Sequence, residues 1–171
     1  MEKKSYVGYH GTSEKAAEYI IREDFRPTIE GWFGTGVYFY LDNIDLAKDW
    51  IKKKKFNNKK IIEALIEVEE RFILDVRDPN NQDSLFFHKM RKMIKENIIK
   101  KKMELKTSTK NLDSVVFDLI IKKKNKKLII GNSFTYDNDK TPCYSRIANG
   151  TELCVSDLEI IRKKEVIGYD E

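Results

Sequence analysis

The hydrophobic positions along this chain follow two periods, one typical of strands and one typical of helices. The clearest strand pattern covers 61–68, where apolar and polar residues alternate, with Ile62, Ala64, Ile66 and Val68 on one side. An alternation with a period of two predicts a half-buried strand. Shorter extended segments are predicted at 6–9, 37–40, 71–76, 127–134, 152–161 and 165–169. We expect the last two of these segments to pair with each other.

Helical spacing appears directly after polar residues that are able to cap a helix. Three of the predicted helices cover 14–23, 85–103 and 112–121. A further helix is predicted after the first, with Ile44, Ala47 and Ile51 on one face. The candidate N-caps are Thr12 or Ser13 for the first helix and Asp42 or Asn43 for the second. Between these two helices, Gly31, Gly34 and Gly36 predict a loop in which the backbone bends or approaches a ligand closely.

Predicted strands at both ends of the chain therefore flank a helical middle. This arrangement is typical of the α+β class with a mainly antiparallel sheet. A length of 171 residues fits one domain, 1–171, that is large enough to bury a core. No internal repeat and no linker rich in proline, glycine or serine divides the chain.

The composition narrows the class of protein. An apolar fraction of 40% with 11% aromatic residues is typical of a globular chain. No apolar run approaches the roughly 20 residues that span a bilayer. The first residues lead directly into a strand-like segment without the apolar stretch of a secretory signal. We therefore expect a soluble, cytoplasmic protein that does not act on membranes.

Lysine runs carry much of the net charge of +5, at Lys52 to Lys55, Lys59–Lys60, Lys100 to Lys102 and Lys122 to Lys127. Such runs can contact phosphates or acidic surfaces. They are equally typical of solvated helix faces in a chain that favours Lys, Asn and Ile. Aromatic residues are not regularly interleaved with them, as a base-stacking platform requires. The charge therefore leaves nucleic-acid binding open without indicating it strongly.

The metal-ligating residue types are few. The chain has two cysteines, Cys143 and Cys154, and two histidines, His10 and His88, in no spacing typical of a metal site or a disulfide framework. We therefore expect no metal cofactor. Both cysteines are interpreted as small apolar residues in or near strands.

Three segments combine glycine with a polar or aromatic residue at a predicted strand end. They are Gly8-Tyr9-His10-Gly11-Thr12, Gly31-Trp32-Phe33-Gly34-Thr35-Gly36-Val37-Tyr38-Phe39 and Asn149-Gly150-Thr151-Glu152-Leu153-Cys154-Val155. Functional side chains often lie where a strand meets a loop. Each segment alone is a weak signal, whereas their order and separation along the chain are more specific.

In that order the segments resemble the ADP-ribosyltransferases, in particular the His-Tyr-Glu branch of diphtheria-type toxins and poly(ADP-ribose) polymerases. The resemblance covers about 6–76 and 149–161. It implies a split antiparallel β-sheet core with flanking helices, and a helical insertion in the middle of the chain at about 84–123. It also implies that NAD⁺ is the substrate and that no metal is needed.

The resemblance assigns roles to individual residues. Glu152 would stabilise the cationic ribose that forms when the nicotinamide bond breaks, an oxocarbenium-like state as in glycosidases. His10 would bind the adenosine ribose, and Gly11 would offer backbone groups to the nicotinamide carboxamide. Thr12, the next residue, would also contact NAD⁺. The alternatives are a structural histidine at position 10 and a solvent-facing glutamate at position 152.

Aromatic residues would hold the nicotinamide ring. Tyr38 would stack on it, and Trp50, twelve positions later, would cover the other side. Diphtheria-type relatives carry a tyrosine one position nearer, which a one-residue insertion near Leu41 would explain. Trp50 could equally pack in the core. Weaker candidates for the pocket or the acceptor side are Arg26, Trp32, Phe33, Thr35, Ser145 and Arg146.

The expected activity is mono-ADP-ribosylation of an intracellular macromolecule, protein or nucleic acid, by a bacterial toxin or defence effector. Gly150 replaces the Glu or Gln that arginine-modifying relatives carry two positions before the catalytic glutamate, which disfavours an arginine acceptor. A neutralising antitoxin protein with an acidic surface is an expected partner. Alternatives are an NAD⁺ glycohydrolase, a small-molecule modifier of the rifamycin-transferase type, which Glu152 disfavours, and a non-catalytic module that binds RNA or a partner.

Overall fold

A single sheet organises the chain. The computed structural model describes residues 2–101, 111–134 and 147–169. Within them the strands are β1 (Lys3–Ser13), β2 (Thr28–Gly31), β3 (Gly34–Leu41), β4 (Lys59–Glu69), β5 (Ile73–Asp75), β6 (Leu128–Ser133), β7 (Gly150–Val155) and β8 (Ile161–Ile167). Their order across the sheet is β5-β6-β7-β3-β1-β4-β8, and β2 pairs with β3. All pairs are antiparallel except β5 with β6. The α+β class is therefore confirmed, with an open mixed sheet.

Four helices are described, and side-chain caps begin each of them. They are α1 (Glu14–Arg22), α2 (Ile44–Lys52), α3 (Gln82–Lys100) and α4 (Leu112–Lys124). The caps are Ser13, Asn43, Asn81 and Asn111, whose side-chain oxygens accept hydrogen bonds from backbone N–H groups of the first turn. Of the paired candidates in the sequence, Ser13 rather than Thr12 and Asn43 rather than Asp42 perform the capping.

The expected pairing of the last two extended segments is wrong. β7 lies between β6 and β3, whereas β8 pairs with β4 at the other end of the sheet. A 3₁₀ turn at Leu158–Ile160 separates the two strands, and the Asp157 side chain accepts a hydrogen bond from the Glu159 N–H at its start. Alternation shows that a segment is a strand, but it does not identify the strand's partner.

The glycine-rich stretch is not the loop that its composition predicts. It forms β2, a two-residue turn and β3, called the glycine hairpin below. A Cβ on Gly31 would overlap the Tyr38 hydroxyl, so glycine here lets β2 lie close over a side chain of β3. Only Gly34, with φ +90°, needs the left-handed backbone that glycine favours.

The sheet is covered on both faces. α1 covers one, called the α1 face, through Ala17 and Ile20. α3 and α4 cover the other with Phe87, Val116 and Phe117, and α2 adds a smaller cluster with Ala47 and Ile51. Tyr38 and Tyr40, two residues apart on β3, pack against the α4 and α2 clusters respectively, so α2 and α4 share this second face. None of the described helices is long and apolar enough to cross a membrane.

Candidate active site

The three sequence motifs lie on three neighbouring strands in the middle of the sheet. His10 is on β1, Tyr38 on β3 and Glu152 on β7, and β3 lies between the other two. Tyr40 of β3 is directly opposite both Tyr9 of β1 and Glu152 of β7. Segments that are more than 100 residues apart in the sequence are therefore brought together by strand pairing.

β1 and β3 separate at this point. Their pairing covers only Gly8 with Leu41 and Tyr9 with Tyr40, although β1 continues to Ser13 beside β4. Further along β3, the edge that faced β1 pairs with β2 instead, at Gly36. The divergence of β1 from β3, which begins next to His10, is called the split below.

The His10 imidazole lies at the start of the split. Its Nδ1 is 2.8 Å from the Tyr38 carbonyl oxygen. Because a carbonyl only accepts, Nδ1 carries the proton and donates. Burial lowers the pKa of His10 below its ordinary value, and the bond to the Tyr38 carbonyl opposes that shift only in part. The ring is therefore neutral at pH 7, and Nε2 is an unprotonated hydrogen-bond acceptor.

The backbone of Gly11 is directed into the split. The Val7 carbonyl of β1 accepts a hydrogen bond from the Asp42 N–H, on the β3 side. Peptide groups alternate in direction along a strand, and Gly11 is four residues after Val7. The N–H and C=O of Gly11 therefore also point to the β3 side of β1. A Cβ on Gly11 would lie 2.9 Å from the Ala47 carbonyl oxygen and 3.0 Å from the Ile51 Cβ, so α2 requires glycine here. The next residue, Thr12, is buried.

The Glu152 carboxylate is half-buried on the face covered by α2 and α4. One of its oxygens accepts a hydrogen bond of 2.7 Å from the hydroxyl of Ser133, on the neighbouring strand β6. Burial raises the pKa of Glu152 above its ordinary value, and the Ser133 hydrogen bond partly opposes this. Leu153 and Val155, which alternate with Glu152 along β7, point into the core of the α1 face.

Tyr38 lies on the same face as Glu152, but its hydroxyl is engaged within the glycine hairpin. The hydroxyl donates to the Gly34 carbonyl at 2.7 Å and accepts from the Phe33 N–H at 2.9 Å. Burial raises the pKa of Tyr38, so the phenol stays protonated. The Phe33 ring lies at a centroid distance of 6.4 Å with an interplanar angle of 24°. The Tyr38 hydroxyl is therefore a structural group, and any contact with a ligand would fall to the half-buried ring.

Trp50 projects from α2 towards the start of the split. It packs in the cluster with Tyr9 and Tyr40 and is half-buried. A Cβ on Gly11 would lie 3.5 Å from its Cε3 atom. The Lys54 ammonium lies 4.5 Å from the centroid of its ring. Of the two interpretations from the sequence, core packing is therefore observed, and the stacking on nicotinamide stays a prediction for a side chain that lies beside Gly11.

The imidazole and the carboxylate lie on opposite faces of the sheet. The His10 ring contacts Phe25 at 5.4 Å and Phe39 at 5.8 Å between centroids, and both belong to the α1 face. Glu152 lies on the other face, in line with Cys154 under α4. The structure therefore brings His10 and Glu152 onto nearby strands without placing their side chains on the same face of the sheet.

Sequence reasoning missed two groups of the site. Ser133 holds Glu152, and Asp118 of α4 binds Thr35 of the glycine hairpin. Neither residue belongs to a motif, and both contacts join segments distant in sequence, so no local signal marks them. Arg26 lies over the Tyr19 ring. Ser145 and Arg146 lie outside the described residues.

Two surface depressions lie away from these residues. The larger, about 420 Å³, is lined by α1, Lys60 and Val166, and the other, about 310 Å³, by residues 13–15 and 55–58. Both are shallow, and neither brings together groups with a shared chemistry. We therefore base the candidate site on the contacts of His10, Tyr38 and Glu152.

No group of three or more metal-ligating side chains is arranged to hold an ion in the part of the chain that the structure describes. Cys154 is a buried free thiol whose pKa burial raises to about 12, so it is not a nucleophile at neutral pH. Cys143 lies outside the described residues.

No known family model matches the chain, and no curated protein matches it either.

Proposed function

We propose that this protein cleaves NAD⁺ and transfers its ADP-ribose to a macromolecule. The observation that carries the proposal is the convergence of the three motifs on β1, β3 and β7, beside a split in the sheet. An imidazole acceptor and the backbone N–H and C=O of Gly11 border that split, and a half-buried carboxylate lies on the next strand, β7, on the face covered by α2 and α4. These are the groups that a nicotinamide nucleotide would need.

Glu152 supplies the electrostatic part of the reaction. Breaking the bond between ribose C1′ and the nicotinamide nitrogen leaves the electron pair on nicotinamide and positive charge on the ribose. A carboxylate that is half-withdrawn from water interacts more strongly with this charge than an exposed one. Ser133 restricts its rotation through the 2.7 Å hydrogen bond. The acceptor's nucleophile then bonds to C1′ and releases its proton to solvent.

The first motif supplies binding groups. His10 Nε2 accepts a hydrogen bond from a hydroxyl of the adenosine ribose, because Nδ1 already donates to Tyr38. The N–H and C=O of Gly11 bind the nicotinamide carboxamide, which has one acceptor and one donor group. The rings of Tyr38 and Trp50 contact the nicotinamide from β3 and α2.

The surroundings of Glu152 bear on the acceptor. A Cβ on Gly150 would overlap the Leu46 side chain, so a Glu or Gln two positions before Glu152 would need that space. This supports an acceptor other than arginine. Transfer of a single ADP-ribose unit suits a small catalytic domain.

The test uses NAD⁺ labelled in the adenylate, incubated with cell lysate and with wild type, Glu152→Gln or Glu159→Gln. Glutamine keeps the shape of the side chain but removes the charge, so we expect transfer to fall by at least ~10²-fold. Glu159→Gln, an exposed position on the following turn, should behave as wild type. Separating protein, RNA and DNA then shows which one carries the label.

Three other outcomes distinguish the alternatives. Label that accumulates only as free ADP-ribose, dependent on Glu152, indicates an NAD⁺ glycohydrolase. Label on an added small molecule alone indicates a modifier of the rifamycin-transferase type. A wild-type protein that neither binds nor consumes NAD⁺, but binds RNA with an affinity that falls steeply with salt, indicates a non-catalytic module and rejects the proposal.

A further inference from the structure

The position of the Tyr38 ring depends on the turn of the glycine hairpin. Its hydroxyl bonds the Phe33 N–H and the Gly34 carbonyl, so the phenol is fixed at its far end by that turn. At its backbone Tyr38 is held by the pairing of β3 with Cys154 of β7, whereas the far end of its ring is held by Phe33 and Gly34. A shift of residues 33–34 would therefore displace the Tyr38 hydroxyl.

A carboxylate from α4 binds the hairpin at Thr35, the second residue of β3 after this turn. One oxygen of Asp118 accepts a hydrogen bond of 2.6 Å from the Thr35 N–H, and the other accepts one of 3.1 Å from the Thr35 hydroxyl. Both bonds are charge-assisted and use the two oxygens separately, which fixes direction as well as distance. The contact joins residues separated by 83 positions, so it exists only in the folded chain.

Gly34, between the turn and Thr35, leaves room for that carboxylate. Gly34 adopts φ +90°, and a Cβ there would lie 2.6 Å from the Asp118 oxygen. Glycine therefore serves both the backbone conformation and the close approach of the carboxylate.

A second contact from α4 holds Phe33. The Phe33 ring meets Phe117 edge-on at 5.5 Å between centroids. It also lies over Gly131, where a Cβ would overlap it. Phe33 therefore lies between α4 and β6, and Gly131 of β6 is directly opposite Glu152 of the neighbouring strand β7.

α4 is itself firmly placed. Val116 and Ile120 are fully buried, and Phe117 stacks on Phe87 of α3 at 4.3 Å between centroids. A helix held by such a core provides a fixed support for a hairpin that leaves Trp32 73% exposed at its tip.

We propose that Asp118 is a positioning residue that holds the glycine hairpin through Thr35 and thereby orients the Tyr38 ring for stacking on nicotinamide. This inference rests on the proposed function and gives the α3–α4 segment a role in it. Asp118 acts through Thr35 and the hairpin, and it makes no contact with substrate in this proposal.

The experiment compares Asp118→Ala, Thr35→Val and Thr35→Ser with wild type. Asp118→Ala removes both hydrogen bonds, Thr35→Val removes only the hydroxyl bond, and Thr35→Ser keeps both. Asp113→Asn is the matched control, because Asp113 is on the same helix but pairs with Arg91 of α3. The readouts are KM and kcat for NAD⁺ consumption, and amide hydrogen exchange across 33–39.

We expect KM for NAD⁺ to rise about tenfold in Asp118→Ala and about threefold in Thr35→Val, with kcat changed less, since the loss is in ring placement. Thr35→Ser and Asp113→Asn should stay within about twofold of wild type. Exchange at 33–39 should accelerate in Asp118→Ala and not in Asp113→Asn.

The inference is overturned if folded Asp118→Ala consumes NAD⁺ with the KM of wild type, while wild type remains active and dependent on Glu152. If Asp118→Ala does not fold, Thr35→Val decides, and an unchanged KM in that variant overturns it equally. A wild-type protein that is inactive on NAD⁺ rejects the proposed function itself, and with it this role for Asp118.

Discussion

Burial acts in opposite directions on the two titratable groups of the site. It lowers the pKa of His10 and raises the pKa of Glu152. In both cases the neutral form is favoured because charge is poorly solvated. In the proposed reaction the neutral imidazole acts as a hydrogen-bond acceptor, whereas the carboxylate would have to be ionised to stabilise a cationic ribose.

This asymmetry predicts a pH profile with one acidic limb. We expect kcat/KM for NAD⁺ to fall as the pH drops through the pKa of Glu152, which lies above the ordinary carboxyl value. His10 should add no limb near pH 7, because its pKa is lowered. Initial rates from pH 4 to 9 test this. A single limb centred at pH 6.5 or above that disappears in His10→Asn would contradict the assignment.

The same shift predicts how stability changes in Glu152→Gln. Since the folded state raises the pKa of Glu152, its contribution to stability is greatest at low pH and is lost as the pH rises through the folded-state value. Glutamine removes this loss. The Tm of Glu152→Gln should therefore match wild type near pH 4 and equal or exceed it at pH 8. The prediction is contradicted if the Tm of Glu152→Gln minus that of wild type is lower at pH 8 than at pH 4. Folding would then favour the ionised form of Glu152.

At the scale of elements, helix α2 constrains the first motif. It packs so closely on β1 that Gly11 has no room for a Cβ beside Ala47 and Ile51. The glycine that the resemblance assigns to nicotinamide binding is thus also required by packing. These two requirements have the same sequence signal and cannot be separated without the structure.

Gly11→Ala should therefore destabilise the protein by about 1–3 kcal/mol, the usual cost of overpacking a core. NAD⁺ consumption should fall with it, because the backbone of residue 11 must move away from α2. Urea unfolding and initial rates measure the two effects. Gly168→Ala, at an exposed glycine, is the control. If Gly11→Ala is as stable as wild type, α2 can move away from β1 to admit the Cβ, and the prediction is contradicted.

The lysine runs also have an explanation at this scale. Lys52 and Lys122 to Lys124 lie in the last turns of α2 and α4, where positive charge interacts favourably with the helix dipole. Lys52 to Lys55 and Lys122 to Lys124 are exposed. Charge alone therefore does not indicate a nucleic-acid site at these positions.

At the scale of the whole molecule, one sheet joins the two cores. Strand β6 shows this most directly, because Ile130 belongs to the core of the α1 face and Ile129 to the core under α4. Both side chains are fully buried. Loss of packing on one face of the sheet should therefore also lower the stability of the other face.

We expect Ile129→Ala and Ile130→Ala each to destabilise the protein by about 2–5 kcal/mol. Because β6 is shared, both substitutions should shift the same cooperative unfolding transition. Circular dichroism and tryptophan fluorescence melts should coincide in wild type and in both variants. Two separate transitions would contradict the prediction that 1–171 forms a single domain.

The sequence by itself determined the local features of this protein. Strand β4, the starts of α1 and α2, and the α+β class follow from periodicity and capping residues, which act within a few positions. The three motifs are visible for the same reason, since each is a short run of chemically distinctive residues. The helix starting at Gln82, three residues before the predicted start, shows the limit of even this local information.

Only the tertiary structure decided which of these pieces meet. The separation of β7 from β8, the hydrogen bond from Ser133 to Glu152 and the contact of Asp118 with Thr35 join segments far apart in the chain. The sequence around a polar residue in a strand or helix does not indicate its distant partner, because sheet order and helix packing determine that partner. The face on which His10 lies was decided in the same way, by the register of β1 against β3 and by the helix that covers each face.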